Sequence, residues 1–178
     1  MRLVVGTGMS LGLFFEQLGD PAYRHVLLNH LPLTGLGVAW LVLLAGLAMR
    51  QTPTILIALG AITLTSAASF FVGQAGDDAY PAVFDALDGH GREWLDYHTY
   101  LADKWLPIVY ANACVSILAI CVVRKKAEWT LAAAGLVATS TLAALGTAVW
   151  IAEAGGKIQH PEFRLRDVPD YEAPRRIR

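Results

Sequence analysis

Four runs of this chain, 31–49, 54–73, 105–123 and 130–152, carry no charged residue. Each is long enough, as a helix, to cross a hydrocarbon core of roughly 30 Å, which takes about 20 residues. Backbone inside lipid has to satisfy its own N–H and C=O groups, so runs of this length predict α-helices. The remaining composition agrees, since 55% hydrophobic and 16% charged residues lie away from a soluble balance. The fold expected is all-α, an integral membrane four-helix bundle, and 178 residues leave little chain for a second domain. Its parts read as an N-terminal interfacial or packed segment at 1–20, a four-helix membrane domain at 21–160 and an extended or disordered tail at 161–178. A net charge of −1 without a basic stripe gives nucleic acid no footing, so the lipid bilayer is the expected partner.

The connectors sort into two faces. Arg50 to Pro53 and the segment 124–129, with Arg124, Lys125 and Lys126, are short and basic. The stretch 74–104 is acidic, with Asp77, Asp78, Asp85, Asp88, Glu93, Asp96 and Asp103. The bias of Lys and Arg toward the cytoplasm puts the short turns inside and both termini outside. The location expected is the bacterial inner (cytoplasmic) membrane, crossed several times. Residues 3–15 follow Arg2 in the manner of a signal-peptide core, but no small-x-small cleavage site follows before Asp20. Cys114 and Cys121 are about 10 Å apart along one helix, too far to bridge each other, and read as small membrane-buried fillers.

All five histidines, His25, His30, His90, His98 and His160, fall on the side opposite the basic turns. Asp20 followed by Pro21 is a helix-start signal, and a helix over 21–49 is about 43 Å long, so His25 and His30 stand in the headgroup zone. These two are about 140° apart on an ideal helix and share a face only if a kink turns them together. Pro32 predicts such a kink near His30. Below His30 the stripe Thr34, Gly37, Leu41 leaves room for a neighbouring helix or a flat cofactor.

In the central loop, Asp78 and Pro81 predict a short extra-membrane helix that lies on the outer surface as a lid, with a turn at Gly89, His90, Gly91. A further helix starting near Arg92 carries His98 into the third span, and Trp94, Tyr97, Tyr100 and Trp105 form an interfacial aromatic belt. After the fourth span, Gly155 and Gly156 predict a helix end that lets His160 and Glu162 fold over the mouth of the bundle, facing His30 and His98.

The pattern HxxxNHxPxxG, realised as His25, Asn29, His30, Pro32 and Gly35, occurs together with His98 at the entrance to the third span and with GGxIxHPE at 155–162. Over residues 22–164 the chain thereby resembles a family of uncharacterised bacterial four-helix membrane proteins, some similar to b-type cytochrome modules. Where an acidic TGE-like run is expected after the second span, this chain has Gly73, Gln74, Ala75, Gly76, Asp77, Asp78. The resemblance implies the fold and supplies no activity.

Three functional readings follow. The first is b-type haem and electron transfer, because haem iron takes axial imidazoles and a four-helix bundle can present them from different helices. His30 and His98 are the expected ligands, with His25 and His160 tuning or covering the site. The partner would be a periplasmic redox protein or a membrane complex. The second is a non-haem copper, iron or zinc site drawn from His25, His30, His98, His160, Glu153 and Glu162. The third is a structural membrane subunit without a cofactor. Acyl-transfer chemistry is not expected, since GxSxG and HExxH are missing and Ser66, Ser69, Ser116 and Ser140 have no histidine alongside. Whether the chain is an enzyme stays open.

Overall fold

The computed structural model describes residues 11–171. A short helix α1, Leu11–Gln17, precedes α2, Pro21–Leu28, whose first turn is closed by Asp20 accepting from the N–H groups of Ala22, at 2.8 Å, and Tyr23. A single π-helical turn, Leu31–Gly35, joins α2 to α3, Leu36–Ala48. Pro32 sits in that turn without an N–H to give, and the N–H of Leu36 reaches back to the carbonyl of Leu31. The longer helices α4, Thr52–Ala86, α5, Gly89–Lys125, and α6, Thr130–Gln159, complete the bundle. Four helical stretches, Pro21–Ala48, Thr52–Ala86, Gly89–Lys125 and Ala127–Gln159, are long and apolar enough to cross a membrane. The chain is an all-α, multi-pass membrane protein.

Helix α5 packs between α4 and α6, α3 lies against α4 and α6, and α2 lies against α4. Where α3 meets α4 the approach depends on small residues. A Cβ on Gly46 would come within 3.0 Å of the Ile55 side chain, and one on Gly35 within 2.8 Å of Thr65 Cγ2. At mid-bundle a polar node ties three helices: Asn112 on α5 donates to Ser66 Oγ on α4, and its amide oxygen accepts from Ser140 and Thr141 on α6. All four are cut off from lipid or nearly so, and the hydrogen bonds remove the cost of polar groups in an apolar interior.

Several elements differ from the sequence expectation for identifiable reasons. The segment around Asp78 and Pro81 is helical but continuous with the second span, so no separate lid stands over the bundle. Pro81 follows Asp77 by one turn near the end of α4, where few helical bonds remain to be lost. Helix α6 runs through Gly155 and Gly156 to Gln159, held there by the buried Ala154 and Ile158 and by the Lys157–Glu153 ion pair.

Thr34 and Leu41 face outward, while Leu36, Ala39, Leu43 and Gly46 form the buried stripe. The extra residue in the π turn rotates everything after it by about 100° relative to an unbroken α-helix. Trp94 and Tyr97, expected in a lipid-facing belt, are buried with Leu95, Leu101, Ile151, Ala154 and Ile158 in a core cluster of their own. Cys114 and Cys121 lie on the outward face of α5 and not in the bundle core. The described part of the tail opens with a 3-10 turn at Pro161–Phe163 and then, without regular structure, lies against the bundle: Tyr171 packs on the rings of Tyr97 and Tyr100.

Candidate cofactor site

Two histidines meet at the end of the bundle opposite the basic turns. His25 on α2 and His98 on α5 face each other with ring centroids 6.2 Å apart and ring planes at 88°. Each ring is fixed by a helix of the same half of the chain. His25 Nδ1 lies 2.9 Å from the carbonyl oxygen of Val72 on α4, and His98 Nδ1 lies 2.9 Å from that of Ile151 on α6. A carbonyl oxygen can only accept, so in both rings Nδ1 carries the proton and donates it. In the neutral imidazole this leaves the lone pair on Nε2, the nitrogen available to a metal. A metal held in line between two such nitrogens, at about 2.0 Å from each, puts the ring centroids roughly 6 Å apart.

Glycines lie under both rings. A Cβ on Gly76 would sit 2.9 Å from His25 Nδ1, and one on Gly155 would sit 3.0 Å from His98 Cε1 and 3.1 Å from its Nδ1. All three distances are below ordinary contact, so the rings occupy the space a side chain would take. One turn before His98, Trp94 is 2% exposed and its indole N–H has no acceptor among the described residues. Lys157 Nζ stands 4.4 Å from the centre of the same indole.

The other expected ligands stay apart from this pair. His30 is exposed and its Nδ1 turns back to the carbonyl of Val26 on its own helix, at 3.0 Å. The irregular turn expected to bring His30 beside His25 begins at Leu31, after both residues, so it leaves their angular separation unchanged. His160 is exposed beyond the end of α6, bonded at 2.8 Å to Glu162 and stacked on Phe163. Glu153 pairs with Lys157. His90 lies in the first turn of α5, 4.0 Å from Glu93. Among the described residues no three of His, Cys, Asp or Glu gather as a metal-holding group, so the six-residue non-haem set does not converge.

Around the pair, charged groups close the helix ends. Asp88 caps α5, accepting from the N–H of Gly91 at 2.5 Å. Arg164 donates to the carbonyls of Lys157 and Ile158 at the end of α6 and reaches Asp88 at 3.5 Å. The Gly91 hydrogen bond and then the nearby guanidinium hold the Asp88 carboxyl below the usual carboxylate range. Arg24, beside His25 in sequence, pairs with Asp78 at 3.8 Å.

The sequence reading paired His98 with His30 and gave His25 a tuning role, whereas the structure places His98 beside His25; the elements that fix the two rings, the carbonyls of Val72 and Ile151 and the glycines 76 and 155, were not anticipated. The signal that carries them is a spacing: in both helices the glycine follows the accepting residue by four. No family model, curated protein or solved structure matches the chain.

Proposed function

We propose that the chain is a membrane electron-transfer protein that binds b-type haem with His25 and His98 as its axial ligands. One observation carries the reading: two imidazoles, each committed through Nδ1 to a backbone carbonyl, face each other at a separation that suits one metal between them. Two protein donors with no third beside them suit a metal that brings its other ligands with it. Haem does so, and when bound it supplies a centre that takes up and releases one electron.

The residues of the chain then have separable roles. The Val72 and Ile151 carbonyls hold the ring orientation and tautomer. Trp94 leaves one buried donor at this end of the bundle without an acceptor among the described residues. Leu101, Ile151 and Ala154 form an apolar core on the two helices, α5 and α6, that carry His98 and its acceptor. In this reading the site faces the outside of the bacterial inner membrane, where a periplasmic redox protein or a membrane complex exchanges electrons with it.

A second reading is favoured by the two-donor geometry itself. A cuprous ion held in line by His25 and His98 needs no room beside the rings. The optical spectrum of the detergent-purified protein decides between them. A Soret band with sharp reduced bands supports haem, copper near one per chain without a Soret band supports the second reading, and a protein free of both after reconstitution with each overturns the two together.

A further inference from the structure

The site is built twice by one local device. In each half of the chain a histidine on one helix donates from Nδ1 to a carbonyl of the next long helix, 47 residues on for His25 and 53 for His98. In each, the residue four further along is a glycine whose missing Cβ is replaced by the imidazole. The pairs are Val72 with Gly76 on α4 and Ile151 with Gly155 on α6. Helical bonding explains the spacing. The carbonyl of residue i already accepts from the N–H of residue i+4, and a side chain at i+4 flanks that bond and shields the oxygen. With glycine there, the oxygen stays open to a second donor and the ring can lie flat against the helix. A glycine inside a helix costs roughly 1 kcal/mol relative to alanine, which argues that something offsets it at both positions.

We infer that Gly76 and Gly155 are positioning residues, each of which seats one histidine so that its Nδ1 is protonated on a backbone carbonyl and its Nε2 is presented to the partner ring. Not every glycine of these helices seats a histidine: a Cβ on Gly60 of α4 or on Gly156 of α6 would meet no atom within 4 Å, and one on Gly73 of α4 would meet Tyr110 and Leu106. The seats stand on geometry alone, whereas their consequence for cofactor retention rests on the haem reading.

The test uses the full chain in detergent with its imidazole nitrogens labelled by 15N. Before any cofactor is added, nitrogen NMR of the wild type is expected to show His25 and His98 as Nδ1-protonated rings. Gly76→Ala shifts the His25 nitrogens and leaves those of His98, Gly155→Ala does the reverse, and Gly60→Ala and Gly156→Ala change neither. With haem added, each seat variant retains it roughly 10- to 100-fold less tightly, as when a group orienting a metal ligand is removed. Its spectrum moves from six-coordinate low spin toward high spin.

Seat variants with unchanged ring nitrogens and unchanged spin state overturn the inference. If Gly76→Ala does not fold, Gly76→Ala with His25→Ala removes the collision and recovers the fold; a double variant that stays unfolded makes Gly76 a helix-packing residue only and overturns its seat. A wild type that takes up no haem while the nitrogen signals respond as described leaves the seats standing and removes the haem reading.

Discussion

His25 and His98 stand 73 positions apart in the chain, yet their rings come to 6.2 Å at a nearly perpendicular angle, each tied through Nδ1 to a different helix. Ordinary ring packing does not require both rings to spend the same nitrogen on a backbone acceptor. A ligand pair benefits from it, because an imidazole that turns freely about χ2 presents its two nitrogens indiscriminately, and a hydrogen bond to the distal nitrogen is the usual way of fixing it. Holding the planes at 88° also fixes the electronic axis of any metal between them. Haem bound in this way is expected to give a strongly anisotropic low-spin EPR signal, distinct from that of parallel imidazoles. A signal of the parallel type would show that the rings rearrange when the cofactor enters.

Replacing the histidines one at a time separates ligands from bystanders. His25→Ala and His98→Ala should each abolish haem retention in the purified protein, whereas His30→Ala and His160→Ala should keep the wild-type spectrum, since one ring turns to its own helix and the other to Glu162. Loss of haem in the His30 variant with retention in the His25 variant would restore the pair expected from sequence.

The four spans were legible because uninterrupted apolar length has one interpretation in a membrane, and Asp20 with Pro21 marked the first helix start because their chemistry is local. Which of His25 and His30 lies beside His98 was not a local matter. It depends on a carbonyl 47 residues away and on where the π turn begins, neither of which the flanking residues of either histidine record. Gly155 and Gly156 read as a stop because glycine commonly ends helices, while at 155 it serves a side chain from another helix. The same blindness put Trp94 and Tyr97 at the lipid surface, since an aromatic residue near a span end has the same composition signature whether it faces lipid or a neighbouring helix.

Asn112 supplies three of the hydrogen bonds that join α4, α5 and α6 at mid-bundle. Asn112→Ala leaves the hydroxyls of Ser66 and Thr141 to find other partners in an apolar interior. The expected loss is about 1–2 kcal/mol of stability, read by unfolding in SDS or by steric trapping. Ser140→Ala should cost less, because Ser140 also reaches the Val137 carbonyl on its own helix and its removal strands no strong donor. A greater loss for Ser140→Ala than for Asn112→Ala would show that the node is not centred on the amide.

Arg50 links α3 to α4 with φ of 52°, in the left-handed region, and it is the only non-glycine residue there among those described. A Cβ in that region is strained, so glycine is easier to accommodate. Arg50→Gly should raise stability by a few tenths to about 1 kcal/mol, with one complication. The same residue belongs to the basic turns on which the orientation reading rests, so the variant should also be checked by labelling a cysteine at Gln51 in intact cells. Labelling of that cysteine from outside in the otherwise unaltered protein would reverse the proposed orientation.

Acid is expected to loosen the contacts of the tail. Asp88 is held below the usual carboxylate range by the Gly91 N–H and then by Arg164, and Glu162 is held low by its own backbone N–H and then by His160. A carboxyl with a depressed folded-state pKa stabilises the fold above its unfolded value, and that contribution disappears as pH falls through the folded value. Both carboxyls are exposed, so solvent screening keeps the effect small and local. The spans should therefore remain folded in mild acid while Arg164 loses its Asp88 partner and the Tyr171 contact with Tyr97 and Tyr100 weakens. Hydrogen exchange of residues 161–171 should rise between about pH 5 and pH 3 with little change in the membrane helices. Arg164→Ala should raise that exchange already at pH 7, because it also removes the donors to the Lys157 and Ile158 carbonyls. Exchange in this segment that is equally slow at pH 3 and pH 7 would show that apolar contacts of Val168 and Tyr171 hold the tail without help from the charges.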